Sequence, residues 1–171
     1  DEVAGVGCSY GKARNCVIYG NRAQQGGGAS SMTLESCTVV GNEAIREGGG
    51  IRGVSAVNCI VYYNNSILDT NENALFWTPN TCTYTCIDPA PPGAGNTNAP
   101  PALQSLSVPR LAQSSPCRDA GTNQAWMATA EDIEGDVRVM AGAVDMGADE
   151  VVTGVLSGPI TAEIHTEWTN A

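Results

Sequence analysis

One phrase returns along this chain at a nearly constant step. Asn15-Cys16-Val17-Ile18-Tyr19-Gly20-Asn21-Arg22-Ala23 comes back as Ser36-Cys37-Thr38-Val39-Val40-Gly41-Asn42-Glu43-Ala44, and again as Asn58-Cys59-Ile60-Val61-Tyr62-Tyr63-Asn64-Asn65-Ser66. The cysteines and the asparagines Asn21, Asn42 and Asn64 all advance by 21 and then 22 residues. Gly26-Gly27-Gly28 and Gly48-Gly49-Gly50 keep the same step, and Gly5-Val6 reads as the equivalent of Gly28-Ala29 and Gly50-Ile51. A fixed period of this size marks a solenoid, in which each coil buries its apolar side only by stacking on the next. The runs after each cysteine are β-branched or aromatic and too short for helices. Gly before Asn marks a bend, because these residues reach the left-handed region at least cost. Asparagines in one column are expected to hydrogen-bond along the stack.

Cys16, Cys37 and Cys59 hold equivalent places, so their side chains are expected to stack inside as free thiols acting as small hydrophobes. Coils about 4.8 Å apart bring Cα atoms within disulfide range, but parallel Cβ vectors disfavour a bond. Cys82 and Cys86 are close enough to pair locally or with Cys117. Zinc has no support: there is no CxxC pair, and His165 is the single histidine.

Composition narrows the partners. A chain of 171 residues with 20 Gly, 9 Pro and one Phe has no large aromatic core, which suits a thin stacked coil. Eighteen acidic residues against eight basic ones give a net charge of −10, with Lys12 the one lysine. No basic stripe is present to meet a phosphate backbone, so nucleic acid is not an expected partner. No apolar run is long enough to span a bilayer, and the chain shows no charged n-region followed by an apolar stretch, so no signal peptide is expected in it. The abrupt start suggests a removed leader or a piece of a longer protein.

Three regions follow from the pattern. Residues 1–110 read as parallel β-helix coils with a loop-rich last part, with short strands at Ala74–Trp77 and Thr81–Ile87 and Trp77 covering the coil. Residues 111–150 read as an irregular closing region that caps the coils and ends in a strand around Ala143, Val144 and Met146. Residues 151–171 read as a linker and extended tail in which Ile160, Ala162 and Ile164 alternate as a strand.

The repeats with Gly-Asn turns and triple glycine resemble secreted bacterial right-handed parallel β-helix proteins of the pectate-lyase-like group. The blocks Ser115-Pro116-Cys117-Arg118-Asp119-Ala120-Gly121, Asp132 through Arg138 and Val144-Asp145-Met146-Gly147-Ala148-Asp149-Glu150 resemble the closing signature of the choice-of-anchor Q domain, as does Thr83-Tyr84-Thr85-Cys86-Ile87. The segment Ile160–Ala171 resembles the first strand of a PKD-type sandwich. The resemblance implies an all-β, right-handed parallel β-helix of about 21–22 residues per coil, located outside the cell or at its surface in a secreted bacterial protein.

Candidates for chemistry are few. Lyases of this fold use clustered acids for Ca²⁺ and a basic residue on an outer face. The coils offer Glu35, Glu43 and Glu47 with Arg14, Arg22, Arg46 and Arg52, and no two acids share a column. Paired carboxylates for a glycosidase would have to come from Asp69 and Glu72, or Glu131 and Asp132. Asp132, Glu134 and Asp136 around Gly135 are the candidate structural calcium ligands, although the glycine interrupts the spacing of a calcium loop. Arg138 is expected to pair with Asp119 or Asp145 and tie down the end of the coil. Tyr19, Tyr62, Tyr63, Trp77, Trp126 and Trp168 are candidate sugar-stacking aromatics, with one of Tyr62 and Tyr63 facing out. Asn64-Asn65-Ser66 has the pattern of a glycosylation sequon.

A coil edge left unpaired invites pairing. The first coil is expected to be covered by upstream coils or by another copy of the chain, and head-to-tail stacking would give a filament. The sequence therefore reads as a non-catalytic extracellular structural or adhesive module. A carbohydrate-active enzyme with its catalytic coils elsewhere, and a carbohydrate-binding module, are the alternatives.

Overall fold

In the computed structural model, which describes residues 8–68, 73–75, 81–140 and 142–152, the chain winds into a parallel β-solenoid of about three turns. The first coil carries β1 (Cys8–Ser9), β2 (Lys12–Arg14), β3 (Val17–Tyr19) and β4 (Arg22–Gln25). The second carries β5 (Ala29–Ser30), β6 (Thr33–Glu35), β7 (Thr38–Val40) and β8 (Glu43–Glu47). The third carries β9 (Ile51–Arg52), β10 (Ser55–Val57), β11 (Ile60–Tyr62) and β12 (Asn65–Ser66), and a partial fourth carries β13 (Ala74–Leu75), β14 (Cys82–Thr83) and β15 (Cys86–Ile87). Equivalent strands pair in parallel, giving sheets β1-β5-β9-β13, β2-β6-β10-β14, β3-β7-β11-β15 and β4-β8-β12. Cys8 pairs with Ala29, and Ala29 with Ile51. The first coil is thus offset by two residues from the Gly5-Val6 alignment, which had only one glycine to anchor it. The strand expected over Thr81–Ile87 is two strands divided by a bend at Tyr84, and Ala143 to Met146 form no strand. The expectations for Asp69, Glu72, Trp77 and the tail from Ile160 lie outside the described residues.

Each coil is four-sided, and the corners explain the repeat. Single residues at positive φ fall five apart: Tyr10, Asn15 and Gly20, then Ser31, Ser36 and Gly41, then Gly53, Asn58 and Tyr63. Gly26 and Gly48 turn the remaining corner. A left-handed residue swings the chain through a sharp bend, and the pleat restarts after it. The first and third residues past each corner then face inward. Met32, Leu34, Cys37, Val39, Asn42 and Ala44 are buried in this way in the second coil, and Val54, Ala56, Cys59, Val61, Asn64 and Ser66 in the third. The apolar members form one continuous core.

The inward residue just past a corner also closes the corner. Asn21, Asn42 and Asn64 each donate Nδ2 to the carbonyl two residues earlier, across Gly20, Gly41 and Tyr63. The thiols of Cys16, Cys37 and Cys59 do the same across Asn15, Ser36 and Asn58, and the hydroxyl of Thr85 continues the column across Tyr84. The asparagines go further. Asn42 Oδ1 accepts both N–H and Nδ2 of Asn21 at 3.0 Å, and Asn64 Oδ1 accepts the same pair from Asn42 at 3.0 Å. Asn73 ends the ladder from the position that Gly50 holds one coil earlier, its Oδ1 accepting from Asn64 N and Nδ2. A Cβ on Gly50 would lie 2.6 Å from Asn64 Nδ2, so the third glycine of the triplet makes room for the ladder. Asn64 is thus buried and spoken for, and its sequon offers no free carboxamide.

The two central sheets differ on their outer faces. The outward residues of β2 and β6 are polar (Lys12, Arg14, Thr33, Glu35), whereas Thr38, Val40, Ile60 and Cys86 on the sheet beside it are buried outward as well as stacked. The closing region covers that second sheet. Ile60, Cys86, Leu111, Cys117, Met146 and Val151 form an outer core. Gly147 N donates to Asn58 O at 2.8 Å and Ala148 N to Thr38 Oγ1 at 2.9 Å. A side chain at Gly147 would meet Ile60 and Thr38 at 2.8 Å, so only glycine permits this approach. Asn58 exchanges hydrogen bonds with Thr122 (2.8 and 2.7 Å), and Asn15 on the first coil donates to Glu131 O at 2.7 Å. The closing region therefore buttresses the flank of the solenoid rather than plugging its end.

At the end of the coil, residues 88–99 cover β14 and β15. Ile87 N donates to Thr97 O at 2.8 Å, and Thr97 N to Thr85 O at 3.1 Å. Asn96 Oδ1 takes Thr85 N, and its Nδ2 reaches Cys82 O and Pro91 O.

The ladder gives a rank order. Asn42→Ala strands the partners on both neighbouring coils and is expected to cost about 2–4 kcal/mol in urea unfolding. Asn21→Ala, at the ladder's first rung, costs about half as much or less, and equal losses would refute the ladder's direction.

Candidate functional site

Charged groups collect in two places: along the coil faces and inside the closing region. On the faces they pair between adjacent coils. Glu35 receives Lys12 Nζ at 2.6 Å and Arg14 Nε; Glu43 receives Arg22 Nε at 2.6 Å. Gln25 donates to Glu47 at 2.7 Å, with Arg52 Nε 3.5 Å from the same carboxylate. The register dictates this, since Arg14 stands over Glu35 and Arg22 over Glu43. Burial works against the Glu35 charge, but hydrogen bonds from Lys12 and Arg14 hold its carboxyl below the ordinary range. Arg14 also lies under the Trp126 ring, 4.9 Å from its centroid, so this aromatic is engaged in fixing the closing region.

The closing region hides a denser group. Arg138, Asp145, Asp149 and Glu150 are essentially inaccessible, and Asp132 is buried beside them. Regular secondary structure is nearly absent here, so carboxylates take over the work of satisfying backbone N–H groups. Asp145 accepts from Asp119 N at 2.6 Å and Val151 N at 2.7 Å, joining two distant segments. Asp132 accepts from Glu134 N, Asp136 N and Glu150 N. Glu150 accepts from Asp145 N at 3.0 Å, and Asp149 from Leu111 N at 2.8 Å. Arg138 is the one buried cation among them. Its Nη2 donates to the carbonyl oxygens of Asp145 and Gly147 (3.2 and 3.0 Å) and lies 3.9 Å from Glu150 Oε2. The expected pairing with the Asp119 or Asp145 carboxylate is therefore replaced: both Asp145 oxygens are taken by backbone donors, and the carboxylate that faces Arg138 is Glu150.

One cation among four buried carboxylates leaves the group short of positive charge. Burial pushes Glu150 up to about 8, against the Asp145 N–H and Arg138, which favour its charged form. Burial raises Asp145 and Asp149 in the same direction and pulls Arg138 down, opposed by the surrounding acids.

The calcium candidates are not brought together. Both Asp132 oxygens face backbone donors, Glu134 turns to Arg110, and Asp136 stays at the turn surface. Among the described residues no group of three or more His, Cys, Asp or Glu side chains is placed to hold a metal. Glu131 is exposed beside the buried, clamped Asp132, so this pair does not flank a groove as two working carboxylates would. Cys16 and Cys82 are poor nucleophiles: the Cys37 thiol and then burial raise Cys16, and burial pushes Cys82 up to about 11. Tyr63 faces outward, while Tyr62 packs edge-on against it and donates to Asn98 O. Asp149 and Glu150 were missed as structural residues. Contiguous burial from Val144 to Glu150 was their signal, and alternation rules do not register it.

Comparison with family models, curated proteins and solved structures finds no match to this chain. The solenoid stands on its own geometry. No helix among the described residues is long and apolar enough to cross a membrane.

The acid cluster sets a pH dependence. The folded state holds the Glu150 proton up to about pH 8, whereas an unfolded chain releases it near 4.5. Stability from this group is therefore full below that lower value and is lost as pH rises to about 8. Urea midpoints measured across this window are expected to fall with pH, and Glu150→Gln to flatten the slope. Arg138→Met, which leaves the buried acids without their cation, is expected to destabilise by about 3 kcal/mol at neutral pH. An unchanged urea midpoint would show that the cluster does not depend on its arginine.

Proposed function

We propose that this chain is a non-catalytic structural module that ends a β-solenoid, working outside the cell or at its surface. The observation that carries the reading is the use already made of its reactive groups. The described face ion pairs link one coil to the next or brace a coil edge, and the buried carboxylates hold backbone N–H groups. Extracellular placement is supported by the resemblance of the closing blocks to anchor-type domains.

The two ends of the coil differ in what they offer a partner. On the last coil, residues 88–99 occupy the edge at β14 and β15. On the first coil, among the described residues, β2, β3 and β4 pair only on their inner side, and Asn21 Oδ1 receives no donor. A further coil, from another segment or another molecule, would supply that donor and continue the ladder. Addition from one side favours a terminal piece over an endless head-to-tail filament.

Two measurements test this reading. Acidic and neutral polysaccharides incubated with the protein and Ca²⁺ are expected to yield no product; new reducing or unsaturated ends would turn the reading to a carbohydrate-active enzyme. Sedimentation velocity with electron microscopy is expected to give particles of one or two chains at every concentration, whereas regular filaments would refute the closed end.

A further inference from the structure

All seven cysteines are free thiols, but they do not stand alike. Cys16, Cys37 and Cys59 enter the inner core from the same position on successive coils, each donating to its own corner carbonyl. Side chains that leave the sheet in parallel at one register are badly set for a disulfide. Cys82 sits in the inner core, and Cys8 packs at its margin. Cys86 and Cys117 approach from opposite layers. Cys86 pairs in register with Ile60 on the outward side of its sheet, while its neighbour Ile87 faces the inner core. Cys117 comes from the closing region into the same outer core, and both residues are fully buried. The neighbouring Cys117 thiol and burial raise Cys86, and Cys86 Sγ donates to Ala99 O at 3.1 Å. Cysteines facing each other across two packed layers have converging Cβ vectors, as a disulfide needs.

We propose that Cys86 and Cys117 form a redox-sensitive disulfide that fastens the closing region to the flank of the solenoid. A small-molecule disulfide such as oxidised glutathione is the oxidant. In local openings of the closing region that expose it, the Cys117 thiolate attacks one of the oxidant's sulfurs, releasing one glutathione and leaving a mixed disulfide. The Cys86 thiolate then displaces the second glutathione. One S–S bond breaks in the oxidant and one forms in the protein, two protons leave the thiols, and two electrons pass to glutathione. Cys117 is the better attacker because the neighbouring Cys86 thiol, helped by Ser115 and opposed by burial, holds its thiol below the ordinary range. In reducing surroundings the closing region rests on its carboxylate clamps and outer core. In oxidising surroundings it is also tied by a loop of about thirty residues, which removes freedom from the unfolded chain.

The test uses the whole protein, reduced and then held folded in a buffer of oxidised and reduced glutathione. Thiols are blocked under denaturing conditions and the digest is mapped by mass spectrometry. The expected result is one crosslinked species joining the Cys86 and Cys117 peptides, the other five thiols blocked, and a melting temperature higher by roughly 10 °C than the reduced form. Cys117→Ser is expected to lose both the crosslink and the oxidant-dependent shift. Cys37→Ser, in the inner column, is expected to keep them. Seven blocked thiols after oxidation, a crosslink between any other pair, or a Cys86–Cys117 crosslink with no thermal shift would each overturn the proposal. The mapping of the unsubstituted protein decides the question even if a variant fails to fold.

Discussion

The structure depends on four left-handed corners in each coil, spaced five residues apart except at the longer step into the glycine corner. Such a residue costs an ordinary L-amino acid on the order of 1 kcal/mol, so each corner needs compensation nearby. At two of the four corners it comes from the next residue, whose side chain turns inward and donates to the carbonyl exposed by the bend. Asparagine does this at one corner of the coil, and cysteine or threonine at another. The same inward turn sets which residues reach the core, so corner chemistry and core packing are one constraint. Asparagine adds a second acceptor–donor link to the neighbouring coil, which makes its corner the one that fixes the stacking register.

A solenoid with three turns is thin, and the closing region supplies the bulk it lacks. It lies against the one sheet whose outward residues are apolar, so that sheet is buried on both faces, as a sheet between two layers must be. What the closing region lacks in strands and helices it makes up with carboxylates aimed at backbone donors. That solution concentrates negative charge in a dry place, and the raised Glu150 is its physical consequence. The arrangement gives four of the chain's acids a structural use without a cationic ligand for each.

The structural and functional readings meet at the edges. Parallel strands continue from coil to coil until something occupies the edge, and residues 88–99 do so at β14 and β15. The described first coil carries Lys12, Arg14 and Arg22, already paired to the coil behind it, so attachment there would rest on backbone pairing and the asparagine ladder rather than on charge.

The repeat of 21 and 22 residues determined the solenoid, the equivalence of its coils, the inward cysteines and the asparagine column, because each depends only on spacing along the chain. The five-residue spacing of the corners was equally present, but Tyr10, Asn15, Ser31 and Ser36 carry no glycine signal, and only their backbone angles reveal it. The runs at Val17–Tyr19, Thr38–Val40 and Ile60–Tyr62 read as short strands, and nothing in their spacing distinguishes a sheet covered on both faces from one covered on one. Tertiary structure alone decided that the cover is the closing region, that Arg138 faces Glu150, that Asn73 ends the ladder, and that Cys86 meets Cys117. Each of these joins residues whose separation follows no period, so only the packed chain brings them together.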